Sequence, residues 1–359
     1  MVEYLSYLNK RIIRKINAIR VKIGLYHKEK LPEYNFSILQ EKWPYRDPQC
    51  IKEKITHNDE SVDLSICIPM YNVQSYIIKL LKQIDNQKTK YAFEVLLIDD
   101  GSSDETNRLV SDYIKEKATW HLFSQENLGI SAARNRTIDN ARGRYLSFID
   151  ADDEISEDFI DSLLTEAYRY NCDIVNGRYS VRRGNKIYPR GIASGYVWGG
   201  VYRASLFNQI RFPDGYWYED MINSFLLIPS ARCIHNIENI VVIHNDIVGS
   251  QTKIQHKAKN YKALEALYLV LSLADDFIKL GLNDQKYFNC RLIHECSLLM
   301  SNRISVLDED TKKQVFLACN HLFNKYNVNI TGITGIDKVM AVAIIKKDYA
   351  AWIIAGNTI

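Results

Sequence analysis

From Leu64 onward, short apolar runs alternate with stretches in which apolar residues recur every three or four positions. That alternation predicts βαβ units and a largely parallel sheet. The runs expected as strands are Leu64–Ile68, Phe93–Ile98, Trp120–Phe123, Tyr145–Ile149 and Asp173–Val181. Helical spacing fills the gaps, most clearly over Asp104–Lys117 and Ile130–Arg142. A polar cluster follows three of the strands: Pro69–Asn72, Asp99–Ser103 and Asp150–Asp153. In an open α/β sheet the ligand crevice lies outside the carboxyl ends of the strands, so these three loops are expected to meet at one edge.

The two ends of the chain follow other rules. Leu5, Leu8, Ile12, Ile16, Ile19 and Ile23 fall at helical spacing, with Lys10, Arg11, Arg14, Lys15, Arg20 and Lys22 on the remaining faces. This is a basic amphipathic helix, which either packs on the body with its cations solvated or lies on an anionic membrane surface through residues 4–23. Residues 40–62, with Pro44 and Pro48, read as a linker or a wrapping segment. After about Gln255 the pattern is helical only, through 261–280, 288–306 and 339–354. The last apolar stretch is broken by Lys346, Lys347 and Asp348, so packing is expected rather than membrane spanning. The expected organisation is an N-terminal segment over 1–60, an α/β domain over 61–255 and a helical region over 256–359.

Composition narrows the function classes. Lys and Arg number 46 against 43 Asp and Glu, a net charge of +3, so no chain-wide field points to nucleic acid. The seven cysteines are odd in number and lack a CxxC pair, which disfavours a zinc site and a disulfide framework and fits a reducing cytoplasm. No signal peptide or run of about 18 apolar residues is visible.

The chemistry lies in the loops. Asp150, Asp152 and Asp153 follow the apolar run Tyr145–Ile149 directly. Carboxylates that close either hold a hard divalent cation together with substrate phosphates or form an acidic start to a helix. Pro69-Met70-Tyr71-Asn72 puts a ring and an amide at the crevice edge; the ring could stack on a base or simply pack. In Asp99-Asp100-Gly101-Ser102-Ser103-Asp104, Gly101 permits a tight turn and Ser103 or Asp104 a helix cap. A carboxylate in that loop can accept the N3 proton of uracil, which cytosine lacks. Asn127-Leu128-Gly129 opens a helix carrying Arg134, which either braces the Asp loops or makes a plain ion pair.

Taken together, Pro69–Asn72, Ile98–Asp104, Asn127-x-Gly129 through Arg134-Asn135, Phe148–Asp153 and Glu219-Asp220 resemble inverting glycosyltransferase family 2 of the bacterial polysaccharide and lipooligosaccharide type. The resemblance covers roughly residues 64–250. It implies a GT-A fold, a Rossmann-like nucleotide-binding mixed sheet flanked by helices, here with an α-helical C-terminal appendage and an N-terminal amphipathic helix. It also implies a UDP-sugar donor, a Mn²⁺ or Mg²⁺ ion, and a glycan or lipid-linked glycan acceptor.

Residue by residue, the resemblance assigns Pro69, Tyr71, Asn72, Asp100, Asn127, Gly129, Arg134 and Asp150 to the nucleotide-sugar and Asp152, with His244, to the metal. Asp220 is the implied catalytic base, and Trp198 and Glu219 fall on the acceptor side. His244 alternatively serves as a diphosphate donor or a satisfied buried histidine. A Gln-x-x-Arg-Trp pattern and spanning helices are absent from the sequence, which points to transfer of one or a few sugars. Two rivals remain: a nucleotide-sugar-binding protein without catalysis, and an Asp-nucleophile phosphatase, which leaves the Asp99-Asp100 and Asn127–Asn135 clusters unexplained.

Overall fold

The structure, a computed structural model, describes residues 30–53, 62–246 and 260–357, together with Arg20, Gly24 and Tyr26. The amphipathic helix expected over 4–23 lies, apart from Arg20, outside the described residues. The chain folds as two compact units: residues up to Asp47 join those after the sheet, and the residues from Pro48 through the sheet form the other.

The larger unit is built on one mixed sheet. Its strands are β1 (Val62–Met70), β2 (Phe93–Asp99), β3 (Trp120–Ser124), β4 (Gly143–Phe148), β5 (Glu154–Ile155), β6 (Ile174–Arg183), β7 (Lys186–Ile192), β8 (Gly200–Arg203) and β9 (Ile234–Asn245). The order is β3-β2-β1-β4-β8-β6-β9-β5, with β7 paired to β6. The β3-β2-β1-β4 half is parallel, and β8 reverses the direction by pairing antiparallel with both β4 and β6. The parallel core is the part foreseen from the apolar runs.

Four strands were not expected. β8 is short and begins at a glycine, and β9 presents Ile234 and Ile240 to solvent while burying Ile237, Val241 and Val242. Such one-sided, interrupted patterns resemble loops until a partner strand is known. The two-residue β5 and the exposed β7 are legible only by their pairing to β9 and β6.

Helices cover both faces of the parallel half. α2 (Ile77–Asp85) and α5 (Phe159–Arg169) bury Ile77, Leu80, Leu81, Phe159, Leu163 and Leu164 in the cluster that holds Leu64, Ile66 and Ile68 of β1. Each such side chain contributes about 1.5–3 kcal/mol by leaving water. α3 (Thr106–Ile114) packs on β3; α4 (Ile130–Asn140) packs on β1 and β2, and its Arg134 is fully buried.

Cys172 and Cys233 are joined by a disulfide, contrary to the expectation from spacing. They are 61 residues apart in sequence, yet Cys233 directly precedes Ile234 and Cys172 lies two residues before Ile174, the parallel pair of β6 and β9, and their Cα atoms are 4.6 Å apart.

The other unit is helical. α1 (Phe36–Lys42) joins α6 (Glu265–Lys279), α7 (Gln285–Leu298), α8 (Glu309–Lys325), α9 (Gly335–Ile345) and α10 (Tyr349–Gly356). Residues 40–45, part of the stretch read from sequence as a linker or a wrapping segment, are tied in by the Trp43 indole donating to Glu265 at 3.0 Å and by Tyr268 donating to the Trp43 carbonyl at 2.7 Å. The break at residues 346–348 is a helix boundary: Asp348 accepts from the Ala351 amide at 3.1 Å and starts α10, whose Trp352 is fully buried. Among the described residues no helix is long and apolar enough to cross a membrane.

Candidate active site

The loops after β1, β2 and β4 leave the same edge of the parallel strands, and hydrogen bonds join the first two. Asn72, at φ +52°, accepts through Oδ1 from the Ser103 amide at 2.8 Å, while its own amide donates to Ser102 Oγ at 3.0 Å. It therefore joins two loops. Pro69 is buried at the strand end, and Tyr71 is 50% exposed at the rim.

The Asp99-Asp100 doublet is occupied by the protein. Asp99 accepts from the Ser102 amide at 3.0 Å and from Asn107 Nδ2 at 2.7 Å. Asp100 accepts from the Leu128 amide at 2.9 Å, the Gly129 amide at 2.8 Å and Gln125 Nε2 at 2.8 Å. The two loops approach so closely at Gly101 that a Cβ there would lie 2.9 Å from the Asn127 amide nitrogen, and Gly101 also holds φ +76°.

The β4 loop is different. Arg134 reaches Asp150 through Nη2 at 3.0 Å, and through Nη1 it reaches Glu219 at 3.0 Å and Asp220 at 3.2 Å. Its guanidinium lies over the Phe212 ring at 5.2 Å. Three carboxylates thus face one guanidinium, two negative charges in excess when all are ionised. Tyr218, at φ +64°, bends the chain just before Glu219 and Asp220.

Burial pushes Asp220 up, to about 7; Arg134 pulls against this, and the Glu219 and Asp150 charges add to the rise. Asp152 is pushed up to about 6 by burial and by Asp150 and Asp153, and it lines an open cleft of about 410 Å³ shared with Tyr76, Lys79, Arg182 and Asn245. Among the described residues no three His, Cys, Asp or Glu side chains converge to hold a metal unaided. A Mg²⁺- or Mn²⁺-type site needs no such convergence, since one or two carboxylates with substrate phosphates suffice. The surplus negative charge at Asp150 and Asp152 fits that arrangement.

His244 is joined to the acidic loop through Asp153. Its Nδ1 faces Asp153, 3.0 and 3.1 Å from the two oxygens, and that bond, opposed by burial, raises the imidazole to about 8. With Nδ1 held by a carboxylate, Nε2 is left either to ligate a metal or, on a protonated ring, to donate to a diphosphate. Asp153 also accepts from the Asn245 amide at 2.9 Å, and Asn245 Nδ2 donates to the Asp152 carbonyl at 2.6 Å, so β9 grips the acidic loop.

Trp198 is stacked 5.5 Å from His244 and 4.5 Å from Tyr196, and it is only 6% exposed. Three participants have no individual role in the sequence reading: Asp153, the partner of His244; Asn135, which brackets Phe212 by accepting from its amide at 2.8 Å and donating to its carbonyl at 2.9 Å; and Asn223. Asn135 and Asp153 lay inside recognised motifs and could have been found there. Asn223 is marked only by contacts distant in sequence.

Residues 65–225 match the family model described as "Glycosyl transferase family 2". Over these residues the chain belongs to glycosyltransferase family 2. Glycosyltransferase GlyA of Streptococcus pneumoniae serotype 4 is 29% identical to this glycosyltransferase over 202 residues, 48% of this chain and 29% of GlyA. The uncharacterized glycosyltransferase EpsJ of Bacillus subtilis (strain 168) is 27% identical over 288 residues, 70% of this chain and 82% of EpsJ. The chain therefore spans less than a third of GlyA but most of EpsJ.

Among solved structures, S. aureus TarS 1-349 in complex with UDP-GlcNAc is similar in fold, with TM-score 0.52 and 17% identity over 82% of this chain and 90% of that one. The mannosyltransferase PcManGT of Pyrobaculum calidifontis, in complex with GDP-Man and Mn²⁺, gives TM-score 0.50 and 13% identity over 97% and 94%. The glycosyltransferase thus has the GT-A architecture, with helices appended after the sheet.

Proposed function

We propose that this glycosyltransferase is metal-dependent and inverting, and that it moves a sugar from a UDP-sugar to a hydroxyl of a glycan acceptor in the assembly of bacterial surface polysaccharide or lipooligosaccharide. The observation that carries the reading is the division of carboxylates around Arg134: Asp220 on one side, raised towards neutrality, and Asp150 with Asp152 on the other. Displacement at a sugar carbon needs a base for the incoming hydroxyl and a cationic site for the leaving diphosphate, and the two tasks require separate groups.

In this reading the acceptor hydroxyl gives its proton to Asp220 as its oxygen bonds to the anomeric carbon. The bond from that carbon to the diphosphate breaks on the opposite face, and UDP leaves with the electron pair. Asp150 and Asp152 would hold the divalent ion, which when bound neutralises charge on the diphosphate. His244, as a cation, lies on the same side. Asp100 has three of its acceptor positions filled by the 125–129 loop and keeps one for the N3–H of a uracil. Tyr71 supplies an exposed ring at the rim for the base. TarS in complex with UDP-GlcNAc and PcManGT with Mn²⁺ are consistent with a nucleotide-sugar and a cation in this fold.

The test is a thermal-unfolding series with UDP, with Mn²⁺ and with EDTA. At ligand about 100 times its dissociation constant, binding stabilises by about 2.7 kcal/mol, a shift of several degrees. A UDP shift that requires metal supports the assignment; no shift with UDP and Mn²⁺ sinks it.

A further inference from the structure

The acceptor side of the site centres on Tyr196. Asn223, three residues beyond Asp220, donates to the Tyr196 carbonyl at 2.7 Å and to the Ser194 carbonyl at 3.3 Å. The Tyr202 hydroxyl donates to the same Tyr196 carbonyl at 2.9 Å. The Asn223 amide donates to the Asp220 carbonyl at 2.9 Å, so the 194–198 loop is fixed to the turn that carries the proposed base. The Tyr196 ring lies against Trp198 with 12° between planes, stands edge-on to Tyr179 at 5.9 Å, and is 39% exposed. A ring backed by another ring and partly open to solvent suits the apolar CH face of a sugar.

The β6–β7 hairpin adds charge to this surface. Residues 174–192 contain five cations, Arg178, Arg182, Arg183, Lys186 and Arg190, and no acidic residue. Three are matched: Arg178 by Glu238 at 2.9 Å, Arg182 by Glu154 at 3.0 Å and Arg183 by Asp246 at 3.0 Å. Arg190 is exposed and has no carboxylate partner among the described residues. It lies on β7 opposite the irregular register at Arg178–Ser180, across from Tyr179, whose ring meets the Tyr196 ring edge-on at 5.9 Å. An anionic acceptor approaching Asp150, Glu219 and Asp220 would be repelled unless a cation met it, and a guanidinium fits carboxylate and phosphate oxygens in a bidentate manner.

We propose that the Tyr196 ring and the Arg190 guanidinium form the acceptor subsite beside Asp220, and that the glycan it takes carries an anionic group, a carboxylate or a phosphate. This rests on the reading of Asp220 as the base.

The experiment titrates the full chain, saturated with UDP and Mn²⁺, with methyl β-glucoside, methyl β-glucuronide and glucose 6-phosphate, following binding by NMR. At least one anionic probe is expected to bind about tenfold more tightly than the neutral one, as a hydrogen bond to a charged group provides. Preference for the glucuronide identifies a carboxylate; preference for the phosphate ester identifies a phosphate. Arg190→Ala should erase the preference and Arg190→Lys restore part of it. Tyr196→Ala should weaken all three probes, and Tyr196→Phe should bind like the native chain. Equal binding of neutral and anionic probes, or a preference that survives Arg190→Ala, overturns the proposal. UDP binding is measured in the same samples, so a native chain that binds no UDP shows failure of the donor reading instead.

Discussion

Two acidic loops at the same sheet edge look alike in sequence and differ in structure. After β2, Asp99 and Asp100 are surrounded by donors from backbone amides, Asn107 and Gln125, and each oxygen is engaged. After β4, Asp150 shares one guanidinium with two other carboxylates, and Asp152 has no cation within hydrogen-bond reach among the described residues. The first loop spends its charge on holding the crevice together; the second leaves charge unneutralised, where a substrate or ion can use it. Unsatisfied charge, rather than the presence of aspartates, separates chemistry from architecture here.

That contrast can be broken by substitution. The largest effect is expected for Asp220→Asn, which removes the proposed base: turnover should fall by about 10²- to 10⁴-fold with UDP affinity nearly unchanged, measured by steady-state kinetics and calorimetry. Unaltered turnover would remove Asp220 from the mechanism. Next, Asp152→Ala should abolish the metal-dependent UDP shift while leaving the melting point of the ligand-free chain equal or higher, because a repulsive carboxylate is gone.

Asp100→Asn should do the reverse in the ligand-free chain. Losing charge-assisted bonds to Leu128, Gly129 and Gln125 costs about 1–3 kcal/mol, readable as a melting-point drop of several degrees. If Asp152→Ala destabilises the free chain as much as Asp100→Asn, the distinction between the loops fails. The smallest effect is pH-dependent. Since Asp220 must be ionised to act and its carboxyl is raised to about 7, the rate at low substrate should climb as pH rises through about 7 and flatten above it. A profile flat from pH 5 to 8 contradicts the assignment.

Much of the parallel half was legible because buried parallel strands are apolar on both faces and leave clear runs between helices. The motif residues were legible because Gly, Asp and Asn at strand ends have few reasons to cluster. What stayed hidden was pairing. Nothing near Asp100 in sequence says that Leu128 and Gly129 will fill it, and nothing near His244 names Asp153. β8 and β9 depend on partners for their stability, and Cys172–Cys233 depends on the register of β6 with β9. Trp198 drew notice by type, but the exposed ring on that side is Tyr196.

The Arg134 guanidinium gives the site one further property. When a proton lands on Asp220, one of the three charges that share Arg134 disappears, and the cation is left to Glu219 and Asp150. Proton uptake at one end of the site is thereby registered at the other through the shared guanidinium. Resetting the base and releasing the product would then be linked steps of one cycle, with Arg134 as the common electrical junction.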